Sequence, residues 1–293
     1  MEPRPLGRTN LTVSPVGLGA GRIGGPEMAD AEVDRLVGAA CDLGVTLFDS
    51  ARSYGLSEER LGRVLGGRRE AVVLSTKVGY GVEGIPDWTG PCITEGIEGA
   101  LRRMRTDRLD IVHLHSCGRE VLERGEVVEA LGRAVEAGKV RVAAYSGEGE
   151  ALRWAVESKA FGAVQCSVSI VDQGVLAGAV PMAAGRNLGV LAKRPLGNAP
   201  WRFGTRPQQP DVAEAWDRFR TLALESPASG WTPLFARFAA FAPGVSSILA
   251  GTASIAHLAE TIDAVALGPL EAGLTAELRS AFSRLGAGWD GRV

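Results

Sequence analysis

Short runs of β-branched and apolar residues alternate with amphipathic helical segments along this chain, eight times in succession and with no break in composition. The strand-like runs are SPVGLGAG, TLFDS, AVVLSTKVG, LDIVHLHS, VRVAAYSG, AVQCSVSI, GVLAKRPLG and SSILAGT. Helical patterns fall over 30–43, from Ser57 onward, over 94–105, 126–137, 150–158 and 175–186, from Asp211 onward, and over 255–267, with a last amphipathic piece at 274–285. In the first of them Val33, Leu36, Val37 and Ala40 recur at helical spacing. Strands separated by helices run parallel, and parallel strands need both faces covered. Eight such units without a hinge-like linker predict an α/β fold, one closed (β/α)8 TIM barrel forming a single domain over 1–293, in preference to two open dinucleotide-binding sheets. Ser57 ahead of Glu58 and Glu59 reads as a helix N-cap, Thr94 as another, and Gly138 as a helix stop.

A chain of 293 residues can bury enough apolar surface to fold without a disulfide or metal staple. Its 32 Lys+Arg nearly balance 34 Asp+Glu, which argues against a general nucleic-acid binder. The run Arg102-Arg103-Met104-Arg105 ends a helical pattern and reads as a solvated helix end that suits the helix dipole. Four scattered cysteines, no apolar leader and no apolar stretch of membrane-spanning length predict a cytoplasmic protein with free thiols and no membrane partner.

Chemistry in a barrel gathers where strands end. The second strand ends in Asp49 with Tyr54 just beyond, the third carries Lys77 near its end, and the fourth ends in His115. Neighbouring strands bring these four groups to one mouth. An ammonium beside a phenol favours the phenolate and so assists proton donation, an aspartate keeps the ammonium charged and fixed, and a neutral imidazole can orient a carbonyl. The set suits proton-assisted carbonyl reduction or its reverse. His113 shares a strand face with His115, which raises a metal-dependent hydrolase as a competing reading, but His257 is the only other histidine and lies in the eighth helix pattern. His113 is expected to pack one layer beneath His115. GAGRIG fits G-x-G-x-x-G, yet GPEMAD delays the following helix, so the match reads as accidental. The stretch GNAPWRFGTRPQQP (197–210) reads as a lid or binding loop.

These residues resemble those of the aldo-keto reductases over nearly the whole chain. LGRTNLTVSPVGLGAG resembles the family's opening hairpin and first strand, and FDSARSYGLSEERLG is similar to its F-D-T-A-x-x-Y-G-x-S-E-x-x-L-G signature. LSTKVG matches the lysine strand, and TDRLDIVHLH keeps the spacing to the catalytic histidine. The resemblance implies an N-terminal β-hairpin, a C-terminal extra helix, and a catalytic tetrad of Asp49, Tyr54, Lys77 and His115 with Tyr54 as general acid. It also implies a nicotinamide dinucleotide, NADP(H) over NAD(H), whose C4 hydride passes to an aldehyde or ketone or returns from an alcohol. The cofactor residues carried over by position are Gly19, Ala20, Gly21, Asp49, Ser146, Gln165, Lys193, Leu196, Gly197, Asn198, Gly251, Ser254, His257, Glu260 and Thr261.

Four positions depart from the family pattern. Gly147 and Thr261 stand where asparagines are usual, Lys193 where an aromatic ring stacks on the nicotinamide, and Ala253 where an arginine grips the 2′-phosphate. Arg206 and His257 are the cations left to compensate. Trp88, Cys117, Trp201 and Phe203 are candidate walls of the substrate pocket and hint at an apolar or flat substrate. The odd cofactor positions also motivate an alternative on the same fold, a cofactor-binding regulatory or sensor subunit with little turnover, as in potassium-channel β subunits.

Overall fold

Each of the eight apolar runs forms a strand of one barrel in the computed structural model, which describes residues 1–286 and 288–291. A small antiparallel hairpin comes first, β1 (Arg4–Pro5) with β2 (Thr12–Val13). The barrel strands are β3 (Val16–Gly19), β4 (Leu47–Asp49), β5 (Val73–Val78), β6 (Leu109–His115), β7 (Val140–Ser146), β8 (Ala163–Ser167), β9 (Gly189–Lys193) and β10 (Ser247–Ala250). All pair in parallel and in chain order, and β10 closes back onto β3. The closed barrel of eight strands with an N-terminal hairpin is therefore the observed architecture. Leu6, Leu11 and Val13 bring the hairpin against a satellite apolar cluster with Leu47, Val73, Ile111 and Leu191, which seals one end of the barrel.

The helices are α1 (Asp30–Asp42), α2 (Ser57–Leu65), α3 (Gly90–Arg103), α4 (Arg119–Glu123), α5 (Glu126–Glu136), α6 (Gly149–Glu157), α7 (Ala179–Gly185), α8 (Pro210–Leu222), α9 (Trp231–Ala240), α10 (Ile255–Ala266) and α11 (Ala272–Leu285). Two of them, α8 and α9, fill the crossover between β9 and β10, and α11 is the extra C-terminal helix. The pattern at 175–186 divides into a 3-10 turn, Gly174–Ala177, and α7.

Both expected serine and threonine caps are corrected. Leu56 is the N-cap of α2, and the buried Ser57 hydroxyl is drawn inward instead, donating to the Ala20 carbonyl at 2.9 Å and accepting from Ser50 Oγ at 2.8 Å. Helix α3 starts earlier than its apolar pattern. Thr89 caps it by accepting from Cys92 N at 3.3 Å, with Pro91 in the first turn, while Thr94 sits inside the helix and donates to the Gly90 carbonyl. Arg103 is not a solvated helix end. Its Nε donates at 2.6 Å to Glu58, a buried carboxylate that also accepts from Thr76 Oγ1 at 2.5 Å and so ties α2 and α3 to the outer face of β5.

The GAGRIG stretch forms a 3-10 turn, Ala20–Gly24, and no α-helix opens until Asp30. Its last glycine has a local reason: a Cβ at Gly24 would lie 1.6 Å from the Tyr54 carbonyl oxygen. The loop is stapled by Arg60, whose guanidinium donates to the carbonyls of Ile23, Gly25 and Met28 at 2.6, 2.8 and 2.7 Å and pairs with Asp30 at 3.0 Å. One buried cation thus satisfies three loop carbonyls and fixes the segment that backs Tyr54.

Candidate active site

Strand register gathers the chemistry. Gly19 pairs with Asp49 and Asp49 with Ser75; Lys77 pairs with His113; His115 pairs with Ser146 and Ser146 with Gln165; Ser167 pairs with Lys193. Side chains alternate along β5, so Ser75 and Lys77 face the interior while Thr76 faces α2.

Asp49 is the hub. It accepts from Lys77 Nζ at 2.5 Å, from Ser75 Oγ at 2.7 Å and from Gln165 Nε2 at 3.1 Å. Lys77 also donates to the Ser50 carbonyl at 2.8 Å and is only 1% exposed, so its charge has been stripped of water. Burial alone would lower the lysine, but Asp49 and then Tyr54 outweigh it and the group is raised. Burial alone would raise Asp49, but the Lys77 cation and then His113 hold it below the ordinary carboxylate range. Tyr54 is half-buried with Lys77 Nζ 4.9 Å from its ring centroid, and its ring meets His115 edge-on at 6.2 Å and 86°. The four side chains singled out in the sequence therefore stand around one mouth.

His113 is fully buried, its Nε2 3.1 Å from Ser75 Oγ, and its Nδ1 has no hydrogen-bond partner among the described residues. Burial lowers His113 to about 4 against the pull of Asp49, and burial followed by the Lys77 cation lowers His115 to about 3. Both imidazoles are thus neutral near pH 7. No group of three or more His, Cys, Asp or Glu that could hold a metal stands together among the described residues.

Sequence reasoning passed over three groups here. Tyr80 places its hydroxyl 2.8 Å from His115 Nδ1, Ser75 bridges Asp49 and His113, and Glu148 pairs with Lys193 at 3.4 Å. The alternation that put Lys77 inside also put Ser75 there, a signal available from the start. The buried Glu148 additionally accepts from Ser167 N at 2.7 Å, and its other oxygen has no hydrogen-bond partner among the described residues. Burial pushes Glu148 up to about 7 against the Lys193 cation, and burial lowers Lys193.

These groups set opposing pH dependences. The two histidines are depressed below 6.5 in the fold, so their contribution is present above about pH 6.5 and is lost as pH falls toward 4 and then 3. Glu148 is raised from 4.5, so its contribution is present below pH 4.5 and is lost as pH rises through about 7. Two protons favouring the unfolded chain outweigh one favouring the fold. Tm is expected to fall on acidification from pH 7 to 5, as read by calorimetry. His113→Asn flattens that slope and Glu148→Gln steepens it, and the opposite order contradicts the assignment.

The remaining expected cofactor residues spread from the mouth along one rim. Gly19, Ala20 and Gly21 enter the loop backing Tyr54, with Gly21 beside the Tyr54 ring. Ser146 Oγ donates to Gln165 Oε1 at 3.1 Å, which with Asp49 pins the glutamine amide. Gly147 stands where it must: a Cβ there would lie 2.4 Å from the Tyr145 hydroxyl, which donates to the Cys117 carbonyl. Gly197 and Asn198 border a shallow cleft open to solvent, lined also by Arg194, Arg218 and Ser169 beside Asp172, Asp211 and Glu214. Leu196 packs against the core beside it. The buried Ser169 hydroxyl has no partner among the described residues. The orphan Ser169 hydroxyl suits a phosphate oxygen, but both guanidiniums are already paired, Arg218 with Glu214 and Arg194 with Asp211 at 3.6 Å, so the cleft carries no excess positive charge. Ser254 caps α10 by accepting from His257 N at 3.4 Å. Gly251, His257 and Glu260 are exposed, whereas Thr261 is buried and donates to the His257 carbonyl.

The four candidate pocket residues have different surroundings. Trp88 packs edge-on to Tyr80 at 5.7 Å, and Tyr80 in turn stacks on His115. Cys117 is buried and pushed up to about 12 by that burial. Trp201 packs among Phe219, Trp231 and Phe235, and Phe203 is exposed with its carbonyl accepting from Trp216 Nε1 at 2.9 Å. Arg206 pairs with Asp217, which also holds the 197–210 loop onto α8.

Comparison with known sequences decides the family. Residues 15–281 match the profile described as the aldo/keto reductase family. The chain belongs to that family. It is 28% identical over 288 residues to L-galactose dehydrogenase from Arabidopsis thaliana, covering 90% of this chain and 88% of that one. A stretch of 122 residues is 38% identical to a protein named "Probable voltage-gated potassium channel subunit beta" from Oryza sativa subsp. japonica, covering 39% of this chain and 37% of that one. The fold matches the holo form of the aldo-keto reductase AKR11C1 from Bacillus halodurans with a TM-score of 0.84, at 23% identity and 96% coverage of both chains. The protein is therefore an oxidoreductase of a family that uses NAD(P)H and small carbonyl substrates. Among the described residues no helix is long and apolar enough to cross a membrane.

Proposed function

We propose that the protein reduces an aldehyde or ketone to an alcohol, or catalyses the reverse, with NADP(H) preferred over NAD(H), within one domain spanning 1–293. The observation that carries this reading is the buried Asp49–Lys77 pair beneath Tyr54, with the neutral His115 edge-on to the same ring. A bound reduced nicotinamide supplies the hydride. Tyr54 donates a proton to the developing alkoxide, and the nearby Lys77 cation stabilises the charge then left on the phenol. Asp49 keeps Lys77 charged and immobile, and Gln165 holds Asp49 from the far side of the barrel. His115 orients the carbonyl by hydrogen bonding while remaining uncharged.

The cofactor assignment is supported by family membership and by the cleft beside Gly197 and Asn198, where the buried Ser169 hydroxyl has no partner among the described residues. Lys193, paired with Glu148, lies at the end of β9 where the family's ring stacks, so its aliphatic stem is the surface offered to the nicotinamide. Parallel fluorescence titrations with NADPH and NADH test the reading. Saturable quenching with tighter NADPH binding supports it, whereas no binding of either nucleotide overturns it. The local likeness to a channel-subunit name favours the regulatory alternative. That alternative requires nucleotide binding with no turnover across a panel of aldehydes and ketones.

A further inference from the structure

Tyr80 follows β5 by two residues, and the proposed proton chemistry makes no use of it. Its hydroxyl oxygen lies 2.8 Å from His115 Nδ1 and 3.2 Å from Ser53 Oγ. Its ring stacks on the imidazole with centroids 5.4 Å apart and planes inclined at 22°. Trp88 packs edge-on against Tyr80 and is itself fixed by its backbone N–H, which donates to the Gly79 carbonyl at 2.8 Å. The phenol is thus held in two ways against one histidine, by a hydrogen bond to a ring nitrogen and by a face contact.

A neutral imidazole carries its proton on one nitrogen, and the partner of the other nitrogen selects which. Phenol is a far stronger acid than a neutral imidazole N–H, and an imidazole lone pair is far more basic than a phenol oxygen. The favoured pairing therefore has Tyr80 donating to Nδ1. Tyr80 has one hydroxyl proton, so giving it to the nearer Nδ1 rather than to Ser53 leaves the longer 3.2 Å contact to the rotatable serine hydroxyl as donor. The histidine proton is left on Nε2. We infer that Tyr80 is a positioning residue that holds His115 as the Nε2–H tautomer and fixes its ring, so that Nε2 offers a donor to the substrate carbonyl. This rests on the proposed carbonyl chemistry for its purpose, but not for its measurement.

The experiment has two arms. In 15N-labelled protein, long-range proton–nitrogen correlations of the three histidine rings, with His115 assigned by its loss in His115→Gln, report the tautomer without any turnover. The wild type is expected as Nε2–H, and Tyr80→Phe, which keeps the ring but removes the hydroxyl, is expected to give mixed or exchange-broadened His115 signals. In the kinetic arm Tyr80→Phe is expected to lower kcat/KM roughly five- to tenfold, the worth of one hydrogen bond, with nucleotide affinity unchanged. The same change in a His115→Gln background is expected to cost nothing further, because Tyr80 acts through the imidazole. A wild-type spectrum with the proton on Nδ1, an unaltered tautomer in Tyr80→Phe, or an equal kinetic loss with and without His115 overturns the inference. If no carbonyl is reduced at all, the proposed function fails while the spectra still decide the role of Tyr80.

Discussion

Tyr54→Phe is expected to lower kcat for carbonyl reduction by about 10²–10⁴-fold, the usual worth of a positioned general acid, with the nucleotide Kd changed by less than about twofold. The asymmetry follows from the geometry. The half-buried ring keeps its contacts with Gly21, Lys77 and His115 when the hydroxyl is removed, so the pocket retains its shape. What disappears is the proton donor. The developing alkoxide is then left to water or to His115, which is neutral and a poor acid. Single-turnover mixing of the loaded enzyme with an aldehyde measures the loss at the chemical step. A variant that retains full activity contradicts the assignment of Tyr54.

Lys77→Met is expected to do two things at once. It removes the charge beside Tyr54, which lowers turnover, and it leaves Asp49 buried without its counter-ion. Breaking a buried pair by removing one partner costs about 3–5 kcal/mol. The carboxylate retains Ser75 and Gln165 as donors, which places the expected loss near the lower end of that range. The pH dependence distinguishes this from a loss of packing. In the native pair Asp49 is depressed, so its contribution is present at neutral pH and is lost on acidification. Without Lys77 burial raises the carboxyl, so the variant is expected to lose stability as pH rises and to approach the native protein in acid. Denaturant melts at pH 5 and pH 8 measure the difference. Adding Asp49→Asn to Lys77→Met is expected to recover stability but not activity, because the buried charge is gone while the ammonium is still missing.

The strands were legible because each is a short apolar run bounded by turn residues. LDIVHLHS became Leu109–His115, and the inward alternation of His113 and His115 followed from period two. Helix ends were harder to read. Ser57 has the chemistry of a cap, but a tertiary hydrogen bond to Ala20 O and one from Ser50 claimed its hydroxyl, and no local pattern encodes that competition. Thr-Gly-Pro ahead of the helix encodes the Thr89 cap, but the apolar periodicity begins later and points to Thr94. The pairing of Arg103 with the buried Glu58, distant in sequence, is a tertiary contact that a local run of arginines does not encode.

The four candidate catalytic residues were visible because each ends, or closely follows, a strand. Tyr80 was not, although it lies two residues beyond the lysine strand, because its meaning depends on the loop at Gly79 and Trp88 folding it back onto His115. The Glu148–Lys193 pair was hidden in the same way. Lys193 stands out only as a departure from a family position and Glu148 not at all, since their contact joins the ends of non-adjacent strands.

The central claim is that the Asp49, Tyr54, Lys77 and His115 cluster performs carbonyl chemistry with a reduced nicotinamide. The most direct test mixes the wild-type protein with NADPH and a panel of small aldehydes and ketones, and follows the loss of reduced-nicotinamide absorbance alongside the alcohol formed. Equimolar oxidation of the nucleotide and formation of alcohol, absent in Tyr54→Phe, is the expected result. Tight nucleotide binding with no oxidation by any carbonyl in the panel contradicts the claim.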